Sequence, residues 1–362
     1  MEFLTATLAF LVLLTVLVFF HELGHYWVAR KNGVKVDVFS VGFGPELFGF
    51  YDKNNTRWKF SVVPLGGYVK MFGDGDVTSS TNDDIDCLSD EELATTFKAK
   101  SVWQRFAIVA AGPIANFILA IVLLTGLYTF VGQPYSTAIV SKVIDGSAAE
   151  AAGFMAEDLI VQADGADVER FEELQRLVQL GSGDPLKIVV DRDGQLVTLT
   201  VKPKVDLYQD HNGKEAKRWL IGIQSNGSSY KQHAFPTAFV VAIEETYEIS
   251  VGTFKAIGQI FEGHRSVEEL GGPIRIAQMS GQAAEAGIPT YIFLMAVLSI
   301  NLGLLNLMPV PMLDGGHLLF YVFEVIRGRP LNERTQEYCF RIGLALVLSL
   351  MIFVTWNDIW VI

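Results

Sequence analysis

The chain is poor in cysteine and carries no basic stripe. Its two cysteines, Cys87 and Cys339, lie far apart in 362 residues, and neither has CxxC spacing. We therefore expect no disulfide framework and no cysteine metal site. The net charge is −12, which together with the missing basic stripe argues against nucleic acid as a partner.

The amino terminus lacks the marks of a cleavable signal peptide. Only Met1 and Glu2 precede the apolar run, so there is no positive leading region. The run is longer than that of a signal peptide, and no small-residue cleavage site follows it. We expect this segment to be retained as a membrane span.

Half of the residues are hydrophobic, and the apolar residues are concentrated in long runs. Runs of about 20 apolar residues are long enough to cross a bilayer as helices. Four runs qualify or nearly qualify, and they are Phe3–Phe20, Phe106–Val131, Tyr291–Val310 and Ile342–Thr355. A further run, Phe235–Phe261, is interrupted by charged residues and is typical of an amphipathic interfacial helix.

Basic residues flank the predicted spans on one side. Arg30 and Lys31 follow the first span, Arg105 precedes the second, and Arg327 and Arg334 lie between the third and fourth. Basic residues near span ends mark the cytoplasmic side. The sequence therefore predicts a multi-pass membrane protein with both termini and the 132–290 region on the side opposite the cytoplasm.

The first span ends in His21-Glu22-Leu-Gly-His25. The two histidines, at i and i+4, project from one face of a helix, which is the H-E-x-x-H arrangement of zinc hydrolases. Glu22 is placed to act as a general base rather than as a ligand. Such a motif can arise by chance on a helix, but ionisable residues within a span are costly and indicate function.

Two histidines leave a catalytic zinc site short of a third protein ligand. Asp314 follows the third span and lies on the same membrane side as the end of the first. His317 is a rival ligand in the same stretch. Pro309 and Pro311 break the helix just before Asp314. Irregular backbone at membrane depth is tolerated where it lines a cavity.

Two stretches predict β structure. Trp58–Met71 is predicted to form a strand pair with a tight turn at Gly66-Gly67, either an edge for an extended substrate or an ordinary hairpin. Residues 136–203 predict strands and short helices in the order β-α-β-α-β-β. Their stretches 145–154, 157–165 and 171–178 resemble a PDZ domain of the circularly permuted bacterial type. The resemblance implies peptide binding, and a spacer that restricts access is the alternative.

Together, HELGH, GPIAN at 112–116 and NLMPVPMLDGGH at 306–317 resemble the site-2 proteases, which are intramembrane zinc metalloproteases. VGFGP at 41–45, PLGGYVKM at 64–71 and GGPI at 271–274 extend the likeness over most of the chain. The resemblance implies Zn²⁺ bound by His21, His25 and Asp314, with Glu22 as catalytic base. It further implies substrate binding by a second set of residues, namely Asn116, Asn306, Pro309, Pro311, Gly66, Gly67 and Tyr68. For Asn116 and Asn306 the alternative is a hydrogen bond from helix to helix.

The predicted fold class is a mainly α membrane protein with four transmembrane helices, an inserted α/β PDZ-like domain and a membrane-associated β-hairpin. The expected order is a first transmembrane helix (1–31), a cytoplasmic loop with the hairpin (32–104), a second transmembrane helix (105–131), a PDZ domain (132–204), a linker with an amphipathic helix (205–288), a third transmembrane segment (289–320), and a cytoplasmic loop with the fourth helix (321–362).

The expected function is zinc-dependent cleavage of single-span membrane proteins, such as an anti-sigma factor or remnant signal peptides, in regulated intramembrane proteolysis. The best-known member with similar motifs regulates a sigma factor and carries two tandem PDZ domains, whereas this chain has room for one. Gating by a PDZ pair therefore does not carry over. The alternative is a membrane scaffold that captures protein tails through its PDZ-like domain without hydrolysis.

Overall fold

The computed structural model describes residues 2–73, 89–181, 183–209, 215–225, 229–262 and 271–361. The acidic stretch 74–92, which belongs to the cytoplasmic loop expected at 32–104, therefore lies largely outside the described residues. The chain forms two compact units. Unit 1 comprises residues 1–124, 242–250 and 271–358, and unit 2 comprises residues 125–241, 251–270 and 359–362.

In chain order the helices are α1 (Glu2–Lys31), α2 (Asp90–Leu93), α3 (Val102–Phe130), α4 (Ala148–Ala152), α5 (Phe171–Gln179), α6 (Phe235–Phe261), α7 (Pro273–Ala286), α8 (Ile288–Leu307), α9 (Asp314–Arg327) and α10 (Glu333–Val361). The strands are β1 (Val36–Tyr51), β2 (Arg57–Met71), β3 (Gln133–Tyr135), β4 (Val140–Val143), β5 (Leu159–Ala163), β6 (Ala166–Asp167), β7 (Leu186–Arg192), β8 (Gln195–Val201), β9 (Lys204–Gln209), β10 (Glu215–Leu220), β11 (Ile223–Ser225) and β12 (Ser229–Lys231).

Four helices of the described chain, α1, α3, α8 and α10, are long and apolar enough to cross a membrane. This confirms the predicted number of spans. The fourth is longer than the apolar run Ile342–Thr355 suggests, because polar residues at both ends continue the helix. The predicted interfacial helix forms at its predicted bounds as α6.

Small residues let α1 and α3 approach closely in unit 1. A Cβ atom on Gly24 of α1 would lie 2.8 Å from the Cβ of Ala115 and would collide with the carbonyl of Ala111, both on α3. Farther toward the amino terminus, Leu13 and Leu17 pack with Leu119 of α3 and with α8. Small residues at helix interfaces are the usual means of close packing in membranes. This packing fixes the end of α1 beside α3.

Helix α7 is an element of unit 1 that the sequence did not predict. It lies within the stretch assigned to a linker and one amphipathic helix, and it packs along α1, where a Cβ on Gly281 would lie 2.6 Å from the Cβ of Ala6. Its first turn is capped by Asp358 of α10, which is buried and accepts the backbone N–H groups of Gly272, Ile274 and Arg275 at 2.8–3.1 Å. A carboxylate at a helix amino terminus satisfies donors left free by the helix.

The strands β1 and β2 form an antiparallel hairpin whose turn spans residues 52–56. Residues 38–41 pair with 67–70 on one side and with 57–60 on the other. The turn predicted at Gly66-Gly67 is therefore wrong, because the two halves of Trp58–Met71 flank β1 instead of pairing with each other. Gly66, with φ of +134°, lies at a bend within β2.

Unit 2 contains the predicted α/β module. Strands β5, β7 and β8 and helices α4 and α5 form where the sequence predicts them. The sheet has the order β6-β5-β7-β8 and its core includes Ile160, Leu174 and Ile188, all fully or almost fully buried. The module extends beyond residue 204, since β11 pairs with β4 and Ile221 is buried in the same core. The linker predicted from residue 205 thus begins with strands of this module.

Candidate metal centre

Helix α1 places two histidines on one buried face. The Nε2 atoms of His21 and His25 lie 3.2 Å apart, and both side chains are buried. The spacing of four residues is responsible, since it brings successive side chains onto one helical face. Two ring nitrogens that face each other at this distance within a span are placed to bind one metal cation together.

Asp314 lies far from the two histidines in sequence but close to them in space. Helix α8 ends at Leu307, residues 308–313 are not helical, and α9 starts at Asp314. The Oδ2 atom of Asp314 lies 3.2 Å from Nε2 of His21 and 3.6 Å from Nε2 of His25. It is buried, and no hydrogen bond to it forms within the described chain.

The segment before Asp314 is tightly folded. A Cβ on Gly316 would lie 2.5 Å from the carbonyl oxygen of Val310 and 2.8 Å from the Cα of Pro311. Met312 has φ of +87°, which is strained for a side chain of its size. The segment 289–320 is thus two helices, interrupted around Pro309 and Pro311 as the sequence predicts, and the strained connection between them places Asp314 at the start of α9.

The three ligand atoms fit a zinc ion. With bonds of about 2.0–2.2 Å in tetrahedral geometry, two ligand atoms lie roughly 3.3 Å apart. The observed separations of 3.2, 3.2 and 3.6 Å match that edge length. Three protein ligands also leave the fourth position open, as in catalytic sites. The orphaned Oδ2 atom of Asp314 gains a partner when a cation sits at this point.

Each histidine is held from behind by α3. Nδ1 of His25 donates to the carbonyl oxygen of Ile108 at 2.9 Å. Nδ1 of His21 lies 3.1 Å from the side-chain amide of Asn116. A histidine that binds metal through Nε2 carries its hydrogen on Nδ1, so the amide oxygen of Asn116 is the atom that suits this contact. Asn116 is fully buried behind His21, and its contact with that ring joins one helix to another, which is the alternative to the substrate contact that the resemblance implies.

Glu22 faces the edge of the sheet. Its carboxylate accepts the backbone N–H of Val69, and a Cβ on Gly67 would lie 3.5 Å from its Cγ. Within the described residues, the outer edge of 67–71 pairs with no other strand. A free strand edge therefore runs directly beside the side chain of Glu22.

Asn306 lies near the cluster, with its amide nitrogen 3.5 Å from Nε2 of His21. Pro309 is exposed, and Pro311 is half-buried against α10, where a Cβ on Gly343 would collide with its carbonyl. His317 points elsewhere, since its ring packs on Phe340 at 5.0 Å between centroids. It is not part of the cluster of His21, His25 and Asp314.

Gly112 is a site residue that reasoning from the sequence did not single out. A Cβ at this position would collide with the His25 ring and lie 2.9 Å from Cε1 of His21. The position must therefore be glycine if the two rings are to converge. Its signal was present in the GPIAN motif, of which only the asparagine was assigned a role.

Two histidines and a carboxylate that meet between apolar helices, with a second carboxylate beside them, define a membrane metallohydrolase. The chain matches the model of peptidase family M50 over residues 9–350. It is 46% identical over 355 residues to Atu1380 of Agrobacterium fabrum, which carries a provisional zinc metalloprotease name, covering 97% of this chain and 94% of that protein. It is 34% identical over 381 residues to Metalloprotease MmpA of Caulobacter vibrioides, covering 99% and 96%.

The chain belongs to peptidase family M50. It is a zinc metalloprotease with membrane-spanning helices. This confirms the predicted enzyme class, the zinc cofactor and the family that the motifs resemble.

Proposed function

We propose that the protein is an intramembrane endopeptidase that cleaves single-span membrane proteins inside the bilayer. The observation that carries the proposal is the position of the cluster, which lies on α1, an apolar helix long enough to span a membrane. A hydrolytic site at that depth has membrane segments as its natural substrates. His21, His25 and Asp314 are the zinc ligands in this proposal.

Zinc, when bound, lowers the pKa of water and polarises a carbonyl group. Glu22 takes the proton of the attacking water and returns it to the leaving amine. Ile108 and Asn116 hold the two imidazoles in the tautomer and orientation that ligation needs. The buried positions of both histidines limit access of bulk water to the site.

Substrate binding in this proposal uses the free edge at 67–71. A transmembrane helix has its carbonyls tied up in hydrogen bonds, so it must unwind before attack. Strand addition to Gly67 and Tyr68 replaces the lost bonds, while Gly66 allows the bend that turns this edge toward Glu22. The amide of Asn306, near His21, can donate to the unwound backbone. Pro309 and Pro311 keep the facing segment non-helical.

The tip of the hairpin supports its association with the bilayer. Leu47, Phe48 and Phe50 are 67%, 59% and 52% exposed on the β1–β2 sheet. An exposed apolar cluster of this kind marks a surface that is covered in the working protein. In the proposal this cluster is in contact with lipid, and the flanking basic residues lie on the cytoplasmic side of a bacterial inner membrane.

The module in unit 2 would then be periplasmic, as would both termini. We propose that it is a single PDZ-like domain that binds peptide tails, on the support of strands and helices that follow the permuted PDZ order. A spacer that only restricts access is the alternative. Substrates of the anti-sigma type, or remnant signal peptides, suit a protease that works in regulated intramembrane proteolysis.

Reconstitution tests the proposal. The purified protein is placed in liposomes with a single-span substrate or with a soluble unfolded protein. Mass spectrometry of the products should locate the cut within the apolar span and show that a chelator prevents it. Cleavage of the soluble protein alone would contradict the proposal, and tight binding of the span without any cleavage would favour the scaffold.

A further inference from the structure

The turn of the β1–β2 hairpin is attached to the helix that carries the histidines. Tyr26, next to His25 on α1, donates its hydroxyl to Oδ2 of Asp52 at 2.6 Å. The same oxygen accepts Nε1 of Trp58 at 3.1 Å. Oδ1 accepts the backbone N–H groups of Asn54 and Thr56 at 2.8 and 3.0 Å. One carboxylate thus closes the turn and joins it to α1.

A cluster of aromatic rings connects this attachment to the centre of the sheet. The ring of Trp58 stacks on Phe39 at 4.2 Å and meets Tyr26 edge-on at 5.2 Å. Phe39 also meets Phe19 of α1 at 5.7 Å. On its other side, Phe39 pairs with Val69, whose N–H reaches Glu22. Phe39 therefore lies between the attachment at Asp52 and the strand edge beside Glu22.

The carboxyl group of Asp52 is ionised at neutral pH. Burial by itself raises its pKa, but the hydrogen bonds from Tyr26, Thr56, Trp58 and Asn54 lower it to about 2. A hydrogen bond to an ionised acceptor is shorter and about twice as strong as a neutral one. The contact with Tyr26 is therefore the strong polar contact between the turn and α1.

We propose that Tyr26 and Asp52 are positioning residues that hold the strand edge at 67–71 in register with Glu22. This inference rests on the proposed function, in which that edge pairs with the unwound substrate. Neither residue touches the reacting atoms. Their contribution is to place the scissile carbonyl, since a displacement of about 1 Å from the reactive geometry can cost roughly 10²-fold in rate.

The first test replaces Tyr26 with Phe, which keeps the buried ring and removes the hydroxyl. We expect kcat for a single-span substrate to fall on the order of 10- to 100-fold, with KM and zinc content unchanged. A short flexible peptide that needs no strand pairing should be cleaved at the wild-type rate. The matched control is Tyr51→Phe, since Tyr51 lies on the same hairpin and is 63% exposed.

Hydrogen exchange of the strand is a second measurement, and it does not depend on enzyme activity. Backbone amides of 67–71 should exchange hydrogen for deuterium about tenfold faster in Tyr26→Phe than in Tyr51→Phe, because the hairpin loses an attachment. Asp52→Asn should show the same acceleration, and the double variant should be no worse than either single change, as expected for two residues that act through one bond.

The inference is overturned if Tyr26→Phe cleaves the single-span substrate at the wild-type rate, or if its cleavage of span and flexible peptide falls equally. Equal loss would place the effect on the metal site. Additive losses in the double variant would likewise overturn it. If the wild-type protein cleaves no membrane span, the proposed function fails instead, and the exchange measurement still decides whether the pair holds the strand.

Discussion

Substitution of Gly112 by alanine should displace the metal ligands although no ligand residue is itself replaced. Cβ atoms essentially never approach other atoms within 3.0 Å, yet this one would lie 2.5 Å from Cε1 of His25 and 2.9 Å from Cε1 of His21. The rings must therefore move by about 0.5 Å or more, which is a quarter of a zinc–nitrogen bond of about 2.0 Å. Disturbing the support of a metal ligand typically costs about 10–100-fold in affinity.

Gly126→Ala is the matched control, because Gly126 lies on the same helix and its added Cβ would meet nothing within 4 Å. Both substitutions favour helix by up to about 1 kcal/mol, so loss of helix does not explain a difference between them. The assay is competition for zinc with a chromophoric chelator in detergent. We expect Gly112→Ala to lose about 10–100-fold in affinity and Gly126→Ala to be unchanged. Equal affinities would refute the assigned packing.

Three further predictions concern the ligands, the topology and the module. His21→Ala, His25→Ala and Asp314→Ala should each lose about one zinc per chain, measured by atomic emission, whereas His317→Ala should retain it; retention in Asp314→Ala would move the third ligand elsewhere. A cysteine introduced at the exposed position 53 should be labelled by an impermeant reagent only after permeabilisation, whereas a cysteine at the exposed position 202 should be labelled in intact cells. The reverse pattern would overturn the orientation. Burial raises the pKa of Asp158, but the bidentate contact with Arg192 lowers it overall. The stabilisation by this ion pair is therefore complete above the pKa of Asp158 in the unfolded chain, about 3.9, and is lost as the pH falls through the lower pKa of the folded protein. Arg192→Gln should therefore make hydrogen exchange in 155–163 less sensitive to acid.

The local parts of the site could be predicted because they depend on helical periodicity. The spacing of His21 and His25 alone places both rings on one face, and the apolar runs give the spans. Asp314 lies far away in sequence, and its arrival depends on the parity of the spans together with helix breaking at Pro309 and Pro311. In the structure Oδ2 of Asp314 lies 3.2 Å from Nε2 of His21, and both the number of spans and the positions of the prolines can be read directly from the sequence.

What the sequence could not give is the choice of partner for each strand or small helix. Alternating apolar residues around Gly66-Gly67 predict strands, but they do not say that both halves pair with β1. The resemblance implies a substrate contact for Asn116, whereas in the structure its side chain lies beside His21 of the neighbouring helix. Helix α7 was not predicted because its stretch is short and weakly apolar. Its cap is also remote in sequence, since Asp358 lies 86 residues after Gly272, whose N–H it accepts.

Glu22→Gln tests the central claim most directly, because the change keeps size and shape and removes only basicity. His21, His25 and Asp314 are untouched, so the variant should bind zinc as the wild type does. General-base catalysis is typically worth about 10²–10⁴-fold, and cleavage of a reconstituted single-span substrate should fall by at least that much while the bound substrate accumulates. Wild-type cleavage by Glu22→Gln with full zinc content would contradict the account.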